Sequence, residues 1–183
     1  MSILKDLKDQ ENTAKLLADK FEGSIKIGSD ADGDFKSRNT SRIDIAQLKA
    51  EEYLESKKII YKNIGFDSKD DRIPSQVWFK VPQFIRCLPD MFILSKDKFN
   101  FLEIKGCRDS VKFKIDDLHQ YNLWNGIAPV YMFIYSASLD KKYVMSLNLI
   151  WDSLALGEWG RYKDNNKLYI SIKCEYLEDY SRK

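Results

Sequence analysis

LPDMFILSKDKFNFLEIKG, residues 88–106, contains two apolar segments, 91–94 and 99–104, that are typical of paired buried strands. The polar SKDK between the segments is typical of a hairpin turn. Three charged residues interrupt this pattern: Asp90 stands at the start of the first segment, and Glu103 and Lys105 stand inside the second. A charged side chain in or beside a core costs free energy unless it is paired or binds a metal. The stretch therefore predicts two adjacent strands that carry a charged site.

Strand geometry indicates how these charges are arranged. Side chains alternate along a strand, so Glu103 and Lys105 point one way and Ile104 points the other. Asp90, at the start of the neighbouring strand, is then expected to approach Glu103. Two carboxylates and the carbonyl of Ile104 suit Mg²⁺, which takes oxygen ligands and retains waters, and Mn²⁺ is expected to substitute. Lys105 could orient or deprotonate a metal-bound water, or offset charge on a phosphate, which predicts phosphodiester hydrolysis.

The acidic–x–Lys pattern is not specific by itself in so charged a chain. The copy at Glu103 stands apart because it lies in an apolar strand and follows a Pro-Asp thirteen residues upstream. The alternative is a Glu/Lys pair on the edge strand of a half-exposed sheet, and the surrounding apolar residues disfavour it. The pattern occurs at Asp6, Asp34, Glu55, Asp67, Glu103 and Asp140.

Apolar periodicity predicts an α/β protein with a mixed sheet. A helix is predicted over residues 41–57, strands over 58–66, 91–94 and 99–105, a helix over 115–124 and a strand over 130–136. Before this core, residues 3–20 predict an amphipathic helix. Residues 77–81 predict an extended piece, and the tail predicts strand-like segments around a turn at 157–160.

PD (89–90) followed by EIK (103–105), within this order of elements, resembles the PD-(D/E)XK nuclease superfamily. The resemblance covers about residues 41–136. It implies a restriction-endonuclease-like αβββαβ core and Mg²⁺-dependent cleavage of DNA. It also implies Asp90 and Glu103 as metal ligands and Lys105 as the catalytic lysine. We therefore expect a single nuclease domain over 1–183, with an N-terminal extension (1–40), a catalytic core (41–136) and a C-terminal extension (137–183).

The family often places an acidic residue on the first core helix, and Glu51 and Glu52 are obvious candidates. On a helical wheel that starts at Ile43, however, Gln47 lies at about 40° and Glu51 at about 80°. The stretch Q-x-x-A-x-x-Y-L (47–54) also resembles the family's E-x-x-A-x-x-Y-L. Gln47 is therefore a candidate site residue, and a polar residue on the flank of the helix is the alternative.

The helix after Lys105 carries HQYNLW (119–124), which is similar to a His-Gln in Holliday junction resolvases of the RecU type. Several subfamilies have a glutamine there that approaches the site, so Gln120 is a further candidate. His119 is expected to be a packing residue beside Ile115.

Composition restricts the partners and the chemistry. The net charge of +2 permits a nucleic-acid partner without indicating one. Two local basic groups, at residues 57–62 and 105–114, are more informative. Without the carboxylates nearby, solvated charge on loops and helix ends would be the favoured interpretation of them. The residues expected to bind DNA are Lys57, Lys58, Arg108, Lys112 and Lys114.

Three cysteines without a CxxC and a single histidine disfavour a disulfide framework, structural zinc and multi-histidine zinc chemistry. No run of apolar residues approaches a membrane span or a signal peptide, so cytoplasm is the expected location. The usage of Lys, Ile and Asn is typical of AT-rich genomes, including those of viruses and phages.

These features favour a metal-dependent deoxyribonuclease that acts on junctions, ends or flaps. A homodimer is expected because two symmetric nicks require two sites, and the helix over 3–20 is the predicted contact surface. A compact restriction or homing enzyme would instead read bases from the loop 67–87, with Arg72, Gln76, Gln83 and Arg86. The sequence also permits a repair exonuclease or a non-catalytic DNA-binding subunit. The glutamine at 47 gives some support to such a subunit, whereas the intact set of Asp90, Glu103 and Lys105 disfavours it.

Overall fold

The computed structural model describes residues 26–28, 35–65, 77, 80–163 and 165–181, with side chains from residue 45 to residue 180 of these ranges. The predicted helix over 3–20, Arg72 and Gln76 lie outside the described residues. Within the described ranges, no helix has both the length and the apolar character needed to cross a membrane.

The described residues form nine strands and five α-helices. The strands are β1 (Lys26–Gly28), β2 (Ile60–Asn63), β3 (Met91–Ser95), β4 (Lys98–Cys107), β5 (Ser110–Lys114), β6 (Val130–Ser136), β7 (Lys141–Ser146), β8 (Glu158–Tyr162) and β9 (Leu168–Lys173). The helices are α1 (Phe35–Ser56), α2 (Gln83–Arg86), α3 (Ile115–Asn125), α4 (Leu147–Ser153) and α5 (Glu178–Ser181). Two 3₁₀ helices, Leu154–Leu156 and Cys174–Leu177, complete the fold.

Five strands form a mixed central sheet in the order β2-β3-β4-β6-β7. β4 pairs antiparallel with β3 and parallel with β6, while the outer pairs are antiparallel. The turn between β3 and β4 has positive φ at Lys96 (51°) and Asp97 (62°), as a two-residue type I′ hairpin requires. The predicted α/β architecture with a mixed sheet flanked by helices is confirmed, and so is the hairpin.

Helix α1 covers one face of the central sheet. Ala46, Ala50 and Leu54 are buried there against a cluster that includes Leu102 and Phe133. The two alanines let the helix backbone approach the strands closely. The helix begins at Phe35, six residues before the predicted start. The predicted start lies too far along the chain because apolar periodicity begins only at Ile43. The residues before Ile43 are helical but do not contribute to that periodicity.

The other face of the central sheet packs against α3 and a second sheet, whose strand order is β1-β8-β9-β5. Val111 of β5 and Ile170 of β9 share one buried cluster with Leu118 of α3 and Met132 of β6. The predicted core and the predicted C-terminal extension therefore share a hydrophobic core, since β5 pairs with β9.

Three local predictions are wrong. In the predicted extended piece 77–81, Val77 is helical instead, and its carbonyl accepts a hydrogen bond from the Lys80 amide at 2.9 Å. The tail changes from strand to helix at Ser146, whose hydroxyl caps α4 by accepting a hydrogen bond from the Leu149 amide at 3.4 Å. The predicted turn at 157–160 is mostly strand β8. Glycine is required at position 160 of this strand because a Cβ there would come within 2.5 Å of the Tyr169 ring.

Candidate functional site

The register of the central hairpin brings Asp90 beside Glu103. Met91 pairs with Leu102, so one further step places Asp90 opposite Glu103. The backbone N–H of Ile104 donates a hydrogen bond to Oδ2 of Asp90 at 2.7 Å, which fixes the carboxylate against β4.

The chain before β3 holds the backbone of Asp90. The amides of Ile64 and Gly65 both donate to the carbonyl of Asp90 at 2.9 Å. A Cβ on residue 65 would lie 3.0 Å from the Cα of Asp90, so glycine lets the loop pass this close. Asp90 is thus positioned by its backbone as well as by its side chain.

Glu103 is a buried carboxylate, 5% exposed, in the middle of β4. Its Oε1 accepts a hydrogen bond from Lys105 Nζ at 2.5 Å and another from the Tyr121 hydroxyl at 2.5 Å. Lys105 Nζ also lies 3.4 Å from the Tyr121 hydroxyl. A buried carboxylate without partners would be costly, so the ion pair with Lys105 and the hydrogen bond from Tyr121 offset the cost of burying Glu103.

Burial and charge shift the pKa values of the two donors. Burial alone would lower the pKa of Lys105, but the carboxylates of Glu103, Asp117 and Asp90 outweigh it and the pKa is raised. Burial, followed by the charge of Glu103, raises the pKa of Tyr121 well above its usual range. The resting site therefore contains a protonated lysine and a protonated tyrosine that both donate to one carboxylate.

Tyr121, rather than Gln120, is the α3 residue that reaches the site. Ile115, Leu118 and Tyr121 form the buried face of the helix, whereas Gln120 is only half-buried and makes none of the hydrogen bonds to Glu103. The spacing of three residues along this face was the sequence signal that could have selected Tyr121. His119 packs its ring 5.5 Å from that of Trp151, in agreement with the predicted packing role.

The two first-helix candidates bind each other. Gln47 Nε2 donates to Glu51 Oε1 at 3.1 Å, and Asn63 Nδ2 lies 3.5 Å from the same oxygen. Asn63 pairs with Met91 at the end of β2 that adjoins Asp90. The contact from Asn63 therefore connects the Gln47–Glu51 pair to β2, next to Asp90. Neither Gln47 nor Glu51 forms a hydrogen bond to Asp90 or Glu103.

We predict that Gln47→Ala lowers the rate of DNA cleavage by on the order of tenfold and that Glu51→Ala lowers it less. A loss of this size is expected for a residue that orients the site without contacting the substrate. Gln47 lies next to the buried alanine stripe of α1 and holds the Glu51 carboxylate, whereas Glu51 lies further round the helix. Single-turnover cleavage rates of the two variants test this order. The reverse order would assign the acidic first-helix position to Glu51.

Two of the predicted DNA-binding lysines lie beside Lys105. Lys112 and Lys114 line a small cavity of about 60 Å³ together with Lys105, Asp117 and Tyr121. Asp117 is a third carboxylate near the site, which no sequence pattern indicated, and Lys114 Nζ lies 4.0 Å from its Oδ2.

The other predicted basic residues are more distant from this cavity. The Arg108 side chain is 77% exposed beyond the end of β4, with Nε 3.7 Å from Asp109 Oδ2. Lys57 and Lys58 precede β2 at the end where Ile60 pairs with Leu94, near the hairpin turn. Asp90 lies beyond the opposite end of that strand pair, so the structure does not bring Lys57 and Lys58 to the site.

Cys87 borders the site as a neutral thiol. Its Sγ donates to Oδ1 of Asp117 at 3.7 Å. Burial, followed by the charge of Asp117, raises the pKa of Cys87 to about 12, so the thiolate is disfavoured. The other two cysteines are also free thiols, with the sulfur atoms of Cys107 and Cys174 3.2 Å apart.

The donor set fits a hard divalent cation. Asp90, just before β3, and Glu103, in β4, supply carboxylate oxygens on adjacent strands, and the Ile104 carbonyl lies on the backbone between Glu103 and Lys105. The Lys105 ammonium already lies on Glu103, which shows that this carboxylate attracts a cation. Among the residues with described side chains, no cluster of three or more His, Cys, Asp or Glu could hold a metal. Mg²⁺ is often bound through one or two carboxylates and waters, so two carboxylates suffice.

No model of a known protein family matches the sequence, and no curated protein matches it significantly. Solved structures with a similar fold include the following two. One is Hjc, a Holliday junction resolvase from Archaeoglobus fulgidus, with a TM-score of 0.44 and 9% identity over 73% of this chain and 89% of that chain. The other is a nuclease from a fusselovirus, with a TM-score of 0.39 and 11% identity over 72% of this chain and 79% of that chain.

Proposed function

We propose that this protein is a Mg²⁺-dependent deoxyribonuclease of the PD-(D/E)XK type. The observation that carries the proposal is the meeting of three side chains at one end of the β3–β4 pair. Asp90 is fixed by the Ile104 amide, and buried Glu103 is fixed by Lys105. This combination of two carboxylates and a lysine on adjacent strands suits hydrolysis of a phosphodiester.

The metal would be held by the carboxylates of Asp90 and Glu103 and by the carbonyl of Ile104. When bound, Mg²⁺ polarises a phosphoryl oxygen and lowers the pKa of a coordinated water. The Ile104 amide keeps Asp90 Oδ2 against β4, and the Tyr121 hydroxyl keeps Glu103 Oε1 in place. Both carboxylates are therefore oriented by the protein before any ligand arrives.

Lys105 is the group placed to act on the reacting phosphate. It is a donor-only cation next to Glu103, and its side chain is 25% exposed, so it remains accessible from the cavity that it lines. From this position it would orient the attacking water and offset the negative charge that develops on the phosphate. Tyr121 is a positioning residue, because it acts through Glu103.

We propose that the enzyme recognises DNA form rather than a long base sequence. Lys112 and Lys114 lie beside Lys105 and would bind phosphates, which carry no sequence information. Arg86, a candidate base-reading residue, donates from Nε to the Val81 carbonyl at 3.0 Å, so this group holds its own loop. Binding is then expected to weaken steeply with salt and to vary little with sequence.

The test is cleavage of a panel that contains linear duplex, single strand, flap and four-way junction. We expect cleavage in Mg²⁺ or Mn²⁺, none in chelator, and a preference for the branched substrates. Cleavage in chelator would refute the metal requirement. DNA binding without any cleavage would instead indicate a non-catalytic DNA-binding subunit, and cleavage of one defined duplex sequence would indicate a restriction or homing enzyme.

We further propose that the protein acts as a homodimer. A domain of this size presents one active site, and two symmetric nicks need two sites, which a two-fold dimer supplies. Light scattering coupled to size exclusion is expected to give twice the chain mass of 21.5 kDa. A monomer at the concentration that cleaves junctions symmetrically would contradict this prediction.

A further inference from the structure

The outer face of the second sheet carries two lysines and two tyrosines. Lys112 and Lys114 are half-buried and alternate with fully buried residues along β5, so both point away from the core. Lys114 pairs directly with Tyr169 of β9. Tyr162, at the end of β8, lies on the same side, two residues after Gly160, the residue that pairs with Tyr169. We call Lys112, Lys114, Tyr162 and Tyr169 the tyrosine–lysine face.

The four side chains contact one another. The rings of Tyr162 and Tyr169 lie 4.6 Å apart between centroids, tilted by 54°. Lys112 Nζ lies 4.8 Å from the Tyr169 centroid and 5.6 Å from the Tyr162 centroid, and Lys114 Nζ lies 5.6 Å from the Tyr162 centroid. Each ring therefore has at least one ammonium group at cation–π distance.

A glycine makes this arrangement possible. A Cβ at residue 160 would lie 2.5 to 2.9 Å from atoms of the Tyr169 ring. The Tyr169 ring therefore packs directly on the backbone of β8 at Gly160. Tyr169 is 6% exposed, whereas Tyr162 is half-buried. Tyr162 is therefore the more accessible tyrosine of this face.

The tyrosine–lysine face is continuous with the candidate active site. Lys112 and Lys114 line the same cavity of about 60 Å³ as Lys105 and Tyr121. Asp117 also lines this cavity, with Oδ2 4.0 Å from Lys114 Nζ. Glu158 of β8 pairs with Ser171 of β9, which in turn pairs with Lys112. A ligand at Lys105 would therefore have Lys112 and Lys114 beside it in the same cavity, and both of these lysines lie 5.6 Å from the centroid of the Tyr162 ring.

We propose that the tyrosine–lysine face binds an unpaired DNA strand next to the scissile phosphate, with one base stacked on Tyr162 and the flanking phosphates bound by Lys112 and Lys114. Aromatic side chains among positive charges are the features that hold single strands without reading sequence. A base inside a duplex cannot present its face to Tyr162, because both of its faces are stacked. The inference rests on the proposed function and names its substrate class: DNA with unpaired nucleotides beside the cleaved bond.

The test measures binding in chelator, so that metal-dependent cleavage plays no part. The probe is a fluorescently labelled oligothymidylate without secondary structure, and a blunt duplex of equal length is the comparison. Tyr162→Ala is expected to weaken the affinity for the single strand about tenfold, since stacking on one aromatic residue contributes about 1–3 kcal/mol per base. Its effect on the duplex should be smaller. Tyr162→Phe, which keeps the ring, should retain the affinity for the single strand.

Tyr176 supplies the matched control. It is a 45% exposed tyrosine with Lys173 Nζ 5.8 Å from its centroid. Lys173 does not line the cavity beside Lys105, whereas Lys112 and Lys114, the lysines at Tyr162, both do. Tyr176→Ala should bind both DNA forms as the parent protein does. No loss in Tyr162→Ala, or an equal loss for single strand and duplex, would overturn the inference.

One further variant and two combinations of cleavage and binding results complete the test. If Tyr162→Ala does not fold, Tyr162→Trp enlarges the ring and should tighten binding of the single strand; weaker or unchanged binding would overturn the inference. A protein that cleaves the panel but binds single strand independently of Tyr162 refutes this inference alone. A protein whose single-strand binding depends on Tyr162 but which cleaves nothing refutes the nuclease proposal alone.

Discussion

Asp90→Asn and Glu103→Gln are each expected to lower Mg²⁺-dependent DNA cleavage by about 10³-fold or more. Each change removes a charged metal ligand, and the metal contributes several kcal/mol of transition-state stabilisation. Both changes keep the shape and an acceptor oxygen. Asparagine can still accept from the Ile104 amide, and glutamine can still accept from Lys105 and Tyr121. The variants should therefore fold, and their cleavage rates should be measured beside thermal unfolding and Mn²⁺ titration by calorimetry.

Asp97→Asn is the matched control for the first change. Asp97 is an exposed residue of the hairpin turn with a φ of 62°, a conformation that asparagine adopts as readily as aspartate. This variant makes the same charge change about one strand length from the site and should cleave DNA like the parent. Full activity in Asp90→Asn or in Glu103→Gln would remove the residue concerned from the proposed metal site.

Lys105→Ala is expected to lower turnover by about 10²-fold or more while metal affinity stays close to that of the parent. This is the scale of losing one electrostatic or acid–base partner of the transition state. The two carboxylates remain in this variant, and Tyr121 still donates to Glu103. Metal titration and single-turnover cleavage, measured on the same preparation, separate the two effects.

Tyr121→Phe provides the contrast for Lys105. It removes the hydroxyl that orients Glu103 and keeps the ring that packs in the core, so a loss of about tenfold is expected, with a weaker metal affinity. The split between turnover and metal affinity thus distinguishes the lysine from the positioning tyrosine. A Lys105→Ala variant within a few-fold of the parent would make Lys105 a structural partner of Glu103.

Local sequence patterns determined the central part of the fold. The apolar segments of β3, β4 and β6 and the periodicity of α3 are properties of short stretches, so each could be predicted without its neighbours. The placement of Asp90 beside Glu103 follows from the same local rule, because the two-residue turn at Lys96 and Asp97 fixes the hairpin register.

The remainder depends on contacts between distant segments. SVKFK (110–114) becomes strand β5 only because β9 pairs with it, and the hydrophobic core selects that pairing. Gly160 was interpreted as a turn residue, but it is needed because the Tyr169 ring crosses β8. A single-residue rule cannot encode either requirement, since each involves a partner far along the chain.

The same distinction applies to the candidate site. The sequence alone selected Asp90, Glu103 and Lys105, because a charge inside an apolar strand is a local anomaly with a local cost. Only the tertiary structure showed that Tyr121 is the α3 residue that reaches Glu103 and that Lys57 lies at the far end of the sheet. Those facts depend on how α3 and β2 pack against β4, and packing between elements is set by complementary surfaces that no local pattern specifies.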